Sequence, residues 1–567
     1  MVGGMNDMKR KLRSYLEPGS TRWAIRLAEW GVLGVTPEDM EKPKIAIVNA
    51  SSKLAACFAH LDDVADRMKE AIRAAGGVPF EIRTAAPSDF VTSLGQRGGY
   101  ILSARDLIVN DVEVAVEGAM LDGMVCLVSC DKTIPALLMA AGRLNIPTIV
   151  MACGYQPSGQ FRGQHMDIEE LWLTAVHNEI GEKKYSVEDL KEMSQNAILG
   201  PGVCSGMGTA NTMHIVCEAL GMALPGTTPV LANSPKMWQA VQGVAERIIQ
   251  MVWDDLKPRD ILTPEAFANA AMVTLSISGS INTVKHLQAL AHEAQVDVDV
   301  YKLFEQYADK IPLLSAVRPN GEHMIEDFEA AGGARALMKQ LESFLYTDVI
   351  TVSGKTVKEN LRDVVVANEE VIRPVSRPFA NRPSIVLIRG SLAPDTGIVK
   401  LAVADDRPLK FSGPAIVFDA TDEAIEAVNN GQVKPGHVVV LRGLGPKGTP
   451  GMGMATSLVF ALDGAGLSGE VAVVTDGQQS GLSNKLLVVN EVLPEAADGG
   501  PLALVENGDI ISIDVEKRVV NLEVPEEVLE ERRAQLNLAV ETDQRGWLQV
   551  YQRLVRPFAE SGGSLVK

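Results

Sequence analysis

Short apolar runs alternate with amphipathic stretches of helical length over the first part of the chain, the pattern of a parallel sheet with helices packed on its faces. Residues 44–49 read as the first buried strand and 61–75 as the helix that returns from it. Residues 78–82, 123–129 and 146–152 read as further strands, with helices over 104–119 and 135–144 between them. From 187 to 344 helices dominate. The rhythm changes over 371–383, where Pro374, Pro378 and Pro383 interrupt a stretch of little periodicity. Beyond it come short strands between glycine turns, at 385–388, 398–401, 438–441, 471–474 and 486–489, and a late hairpin over 510–515 and 519–524. The predicted fold is an α/β N-terminal domain over 1–372, with a parallel sheet and many helices, followed by a mostly β, barrel-like C-terminal domain over 383–567.

Composition narrows the function classes. A chain of 567 residues is too long for one core. With 46% apolar and 22% charged residues it has the make-up of an ordinary globular protein. A formal charge of -19 leaves no basic footprint for nucleic acid or an anionic membrane surface, so the expected partner is a small molecule. The first 23 residues mix Lys9, Arg10, Lys11 and Arg13 with polar residues and lack the apolar core of a signal peptide. No stretch is long enough to span a bilayer. Six cysteines in so long a chain make no disulfide framework, and a reducing cytoplasm is the expected setting, where thiolates are free to bind metal.

Three of those cysteines stand in loops. Cys57 follows the first strand, Cys130 follows the strand at 123–129, and Cys204 lies among Gly202, Gly206 and Gly208. Carboxyl ends of strands are where open α/β sheets place ligands. Cys126 and Cys217 sit in apolar runs and read as core, while Cys153 ends another strand and stays open between the two roles. Three thiolates from three loops suit an iron-sulfur cluster with one iron left open. Zinc is the alternative, although no close C-x-x-C pair is present. Asp131 and Lys132 follow Cys130 directly, so the same turn offers a place for a second, harder cation. In the C-terminal half, the loop Leu444-Gly445-Pro446-Lys447-Gly448-Thr449-Pro450-Gly451-Met452 reads as a rigid turn exposing backbone amides. Thr475-Asp476-Gly477-Gln478-Gln479-Ser480-Gly481 presents a serine after a strand.

Taken in order, these strings resemble the dihydroxy-acid and sugar-acid dehydratase family. The likeness is carried by Cys57-Phe58-Ala59-His60-Leu61, Cys130-Asp131-Lys132-Thr133, the run from Pro201 through Cys204 to Met213, and Ser280-Ile281-Asn282 with His286. It continues through Pro312-Leu313-Leu314, Gly445-Pro446-Lys447-Gly448, the Ser480 turn and Pro494-Glu495-Ala496. The resemblance implies a cluster, commonly [2Fe-2S], on Cys57, Cys130 and Cys204, and a magnesium ion beside it. It makes Asp131 a magnesium ligand, Lys132 a carboxylated lysine on the same ion, and Ser480 the general base that removes the proton next to the substrate carboxylate.

Two acids of the family pattern are replaced. The string Ser93-Leu94-Gly95-Gln96 puts Gln96 at an acidic magnesium position, where it offers only a carbonyl oxygen, and Pro450-Gly451-Met452-Gly453-Met454 puts Met454 at another. A thioether is a soft ligand that magnesium does not favour. The family's histidine before Pro-Glu-Ala is Glu491 here. The expectation is a persisting cluster beside a weakened or absent magnesium site, with the Lys132 ammonium free to bind a substrate carboxylate. Asp106, Asp111 and Glu113 are the nearest replacement acids, though a solvated helix face suits them better. Arg97, Arg105 and Lys447 are the cations available for substrate anions. The predicted function is an iron-sulfur-dependent hydro-lyase acting on a 2,3-dihydroxy carboxylic acid. The Cys-Asp-Lys-Thr and Ser-Leu-Gly-Gln strings favour a sugar acid, and a homodimer or homotetramer is expected. The rival readings are a lyase of altered metal site with another hydroxy-acid substrate, and a catalytically silent ligand-binding paralogue.

Overall fold

In the N-terminal part of the computed structural model, four strands form one parallel sheet: β1 (Lys44–Asn49), β2 (Val78–Arg83), β3 (Gly123–Val128) and β4 (Thr148–Ala152), in the order β2-β1-β3-β4. The structure describes residues 10–93, 98–181, 183–401, 407–481, 486–536 and 544–566. β1, β3 and β4 are buried along their whole length, which is why each reads as an uninterrupted apolar run rather than an alternation. The helices Leu61–Ala74, Gly99–Ala119 and Thr133–Leu144 connect them. The chain leaves β1 for one side of the sheet and then returns to the other side, so a crevice opens between the carboxyl ends of β1 and β3. A small hairpin, β5 (Gly159–Phe161) and β6 (Gln164–Met166), and a run of helices from Ile168–Ile180 to Gly333–Gln340 complete this part.

The C-terminal part is an eight-stranded sheet: β7 (Ile385–Ile388), β8 (Thr396–Lys400), β9 (Lys410–Phe418), β10 (Val438–Leu441), β11 (Ala472–Thr475), β12 (Leu487–Leu493), β13 (Ile510–Asp514) and β14 (Val519–Leu522). Their order is β14-β13-β9-β10-β11-β12-β8-β7. The two ends meet through a bridge between Arg389 and Val519, so the sheet closes nearly into a barrel, as the sequence predicts. The strand pattern did not reveal that β9 to β12 run parallel. Parallel neighbours need crossovers; the helix Thr421–Asn429 supplies the one from β9 to β10 and the helix Thr456–Gly464 the one from β10 to β11. Alternation sorts the side chains: Val438, Val440, Ala472, Val474, Leu487 and Val489 fill the barrel, and Val439, Leu441, Val473 and Val488 meet those helices outside.

β7 joins the halves. Val386 and Ile388 belong to the barrel core, while Ile385 and Leu387 pack into the large N-terminal core. Among the described residues, no helix is long and apolar enough to cross a membrane.

Candidate active site

Three loops deliver the three predicted thiols to one place. Cys57 lies in the short turn Ala56–Phe58 after β1, and Cys130 follows β3; Ser129 Oγ donates to the Cys57 carbonyl and ties these loops together. The third loop reaches the first through Gly202 N, which donates to Ala56 O at 3.4 Å. Gly202 has φ +119°, and a Cβ there would lie 2.6 Å from the Tyr155 carbonyl carbon, so the close approach requires glycine. Asn211, on the helix Thr209–Ala219, folds the Cys204 segment by donating to the carbonyls of Cys204 and Gly206, each at 2.8 Å. Hydrogen bonding to Cys57 and burial push the Cys130 thiol well above its ordinary value. Burial and the Asp131 and Cys57 groups do the same to Cys204. Cys126, Cys153 and Cys217 are buried in the core and do not line the cavity beside these loops; the Cys153 thiol, which the sequence left open, donates to the Met151 carbonyl at 3.5 Å, and its carbonyl meets His60 Nε2 at 2.7 Å.

A cavity of about 740 Å³ opens beside these loops, between the two halves of the molecule. Cys130, Cys204, Asp89 and Asp131 line its N-terminal wall; Thr421, Met454, Ser457 and Ser480 line its C-terminal wall. Burial, together with the charge and hydrogen bond of Asp89, pushes Asp131 up to about 7. Lys132 Nζ lies 3.1 Å and 3.4 Å from the two Asp89 oxygens and 3.7 Å from Asp131. The helices Thr133–Leu144 and Thr209–Ala219 both begin here without a side-chain cap, and their positive ends face this negative wall.

Ser480 arrives from the barrel on the turn after β11. Asp476 holds that turn by accepting from the amides of Gly443, Leu444 and Ala496. Ser480 N donates to Thr456 Oγ1 at 2.7 Å. The turn packs against the N-terminal half so closely that a Cβ on Gly481 would lie 2.4 Å from Ser280 Oγ and 2.9 Å from Thr209 N. Ser480, the predicted base, and Asp131, one of the predicted metal ligands, thus line one cavity.

Several expectations change. Asp89, which the sequence reading passed over, supplies a carboxylate to the wall, so two acids stand there rather than one. Its only sequence signal is a Ser-Asp pair opening the short helix Asp89–Thr92 after β2, which has no metal-ligand spacing. Lys132 is fully buried and engaged by Asp89, not free at the cavity surface. Arg105 is buried against Asp106, and the half-exposed Glu113 pairs with Arg143; neither acid lines the cavity. Lys447 pairs with Asp498 outside the cavity. The amides of Lys447 and Gly448 do not await a ligand either, because Glu495 accepts from both. Met454 lines the cavity as predicted, and Glu491 lies in a fully buried pair with Lys285. Gln96 and Arg97 lie outside the described residues.

The donor sets fit the groups that the sequence reading anticipates. Among the described residues no three His, Cys, Asp or Glu side chains close on a point as a single ion requires. Three thiols brought together by three loops are the donor chemistry of an iron-sulfur cluster. Ser205 Oγ, Gln478 Oε1 and Gln479 Oε1, near Cys204 and Ser480 in the chain, are buried without a hydrogen-bond partner. Two carboxylates in contact suit a hard divalent cation.

Comparison with known proteins agrees with this geometry. Models described as "Dihydroxy-acid/6-phosphogluconate dehydratase N-terminal" and "C-terminal" match residues 42–360 and 370–562. A dihydroxy-acid dehydratase of Ignicoccus hospitalis is 38% identical over 547 residues, covering 96% of this chain and 98% of the relative. One from Pyrococcus abyssi is 41% identical, covering 92% and 94%, and one from Methanococcoides burtonii is 40% identical with the same coverage. With both halves matched and the shared cavity between them, the chain belongs to the dihydroxy-acid/6-phosphogluconate dehydratase family and is a hydro-lyase.

Proposed function

We propose that this enzyme removes water from a 2,3-dihydroxy carboxylic acid with an aliphatic tail, giving a 2-keto acid. The observation that carries the substrate assignment is the cavity wall. Phe90, Ile168, Leu171, Trp172, Leu444 and Met454 line it, and among the described lining residues there is no Arg or Lys. Trp172 stands edge-on to Phe90 at 5.6 Å and to Phe460 at 5.2 Å, which stiffens that wall. Such a surface gains from burying methyl groups, although Thr421, Asp422 and Ser457 also line the cavity. Of the two strings that pointed to a sugar acid, Cys130 and Asp131 lie beside the acids of the cavity, where the carboxylate and the reacting hydroxyls would sit in either case, and Gln96 lies outside the described residues.

Cys57, Cys130 and Cys204 would hold an iron-sulfur cluster, and Asp89, Asp131 and Lys132 a divalent cation; together these supply Lewis acidity toward the leaving hydroxyl and the substrate carboxylate. The protein's own work is on the proton. Ser480 Oγ takes the hydrogen from C2, the C3–oxygen bond breaks, and the enol formed between C2 and C3 rearranges to the keto acid with release of one water. A serine is basic enough only beside positive charge, and the apolar wall, by excluding water, strengthens that effect.

The test is keto-acid release by protein purified without oxygen, offered 2,3-dihydroxy-3-methylbutanoate and a panel of aldonates. The branched acid is expected to react faster. Preference for the aldonates would return the substrate to the sugar-acid class, and Ser480→Ala is expected to lower kcat by about 10²–10⁴-fold.

A further inference from the structure

Lys400 is the last residue of β8 and is only 2% exposed. Its Nζ donates to the carbonyl of Gly481, the residue after Ser480, at 2.8 Å. The strand between them is β12, which pairs with β8 on one side and with β11, the source of the Ser480 turn, on the other. The lysine therefore reaches from its own strand to the catalytic turn. Arg407 Nη2 fixes the base of the arrangement by donating to the Lys400 carbonyl at 3.1 Å.

The peptide after Ser480 is held from both halves of the molecule. From the barrel comes the Lys400 ammonium; from the N-terminal half come Ser280 and Thr209, which leave no room for a side chain at Gly481. A carbonyl needs no charged donor to be satisfied, and burying an ammonium costs stability that a methionine of similar length would not. That cost is visible in Lys400 itself: burial brings it down to about 8, with the Glu169 carboxylate opposing the change and Arg407 adding to it. The Gly481 carbonyl by itself has no need of the charge, which also offsets the buried Glu169 carboxylate. The chemistry does, because a serine that removes a proton from carbon needs positive charge nearby and a fixed direction of attack.

We propose that Lys400 is a positioning residue for Ser480: its buried ammonium locks the Gly481 carbonyl, thereby aims the serine hydroxyl, and sets a fixed positive charge beside the turn. This rests on the reading of Ser480 as the base. No step in it moves a proton to or from Lys400.

Lys400→Met and Lys400→Arg in the full-length, cluster-loaded enzyme test it. The methionine variant is expected to unfold at the parent's temperature or above and to keep the cluster's visible absorbance. Its KM should stay within about threefold of the parent while kcat falls about 10²-fold, as for loss of a transition-state interaction. The deuterium isotope effect for substrate labelled at C2 should rise, and Lys400→Arg should recover part of kcat. Amide exchange over 477–481 should quicken in Lys400→Met. A kcat within threefold of the parent, a loss of rate that tracks lost cluster absorbance, or unchanged exchange overturns the proposal. If the parent itself releases no keto acid, it is the base reading that fails, and the exchange comparison alone decides whether Lys400 holds the turn.

Discussion

The two walls of the cavity solve opposite electrostatic problems. On the N-terminal wall two carboxylates and two thiols crowd together, with Lys132 behind them. Burial works against that ammonium, yet Asp89 and Asp131 outweigh it and hold the lysine above its usual value. On the C-terminal wall hydroxyls and apolar groups predominate, and the lysine behind them, Lys400, is brought below its usual value by burial. One wall gathers anions, as the proposed cations would need; the other, with Asp422 as its carboxylate, is more sparing with charge. Each half of the chain folds round only one of these environments, and the reaction needs both.

The largest effect should come from the anionic wall. Cys130→Ser removes the thiol that touches both the Cys57 sulfur and the cavity; bound iron and keto-acid release are both expected to fall to background in protein prepared without oxygen. Full iron retention would break the assignment of this wall to a cluster. Next comes Asp89→Asn, which deletes one of two carboxylates: magnesium affinity, read by calorimetric titration, is expected to drop at least about tenfold. An unchanged affinity would reduce Asp89 to a counter-ion for Lys132. The smallest effect belongs to the sparing wall. Met454→Glu adds an acid facing the others, and magnesium affinity should rise by about three- to tenfold, since ligand charge count tunes such sites. No gain would mean that residue 454 does not reach the ion.

How far the sequence speaks depends on what each residue's role requires. β1, β7 and β10 begin and end where their apolar runs place them, because strands buried on both faces leave no other pattern. β9 is not legible: it is partly exposed, and Gly413 and Pro414 at its centre read as a turn. Gly413 is in fact there to let the Gly436 carbonyl approach, since a Cβ would lie 1.9 Å from that oxygen. Cys204 and Ser480 are legible through glycine-rich loops that serve close packing, and Cys57 and Cys130 through their places after apolar strands. Asp89 and Lys400 are not. One opens a single-turn helix and the other ends an ordinary strand, and only the meeting of distant segments gives either a role.

The double allegiance of β7 bears on how substrate arrives. A strand with Ile385 and Leu387 in one core and Val386 and Ile388 in another has no solvent side to spare. Parting the two halves would tear apolar surface from both cores at once, so the seam behaves as a weld and not as a hinge. A dihydroxy acid must then reach Ser480 through the mouth of a cavity whose deep walls keep their spacing from one turnover to the next.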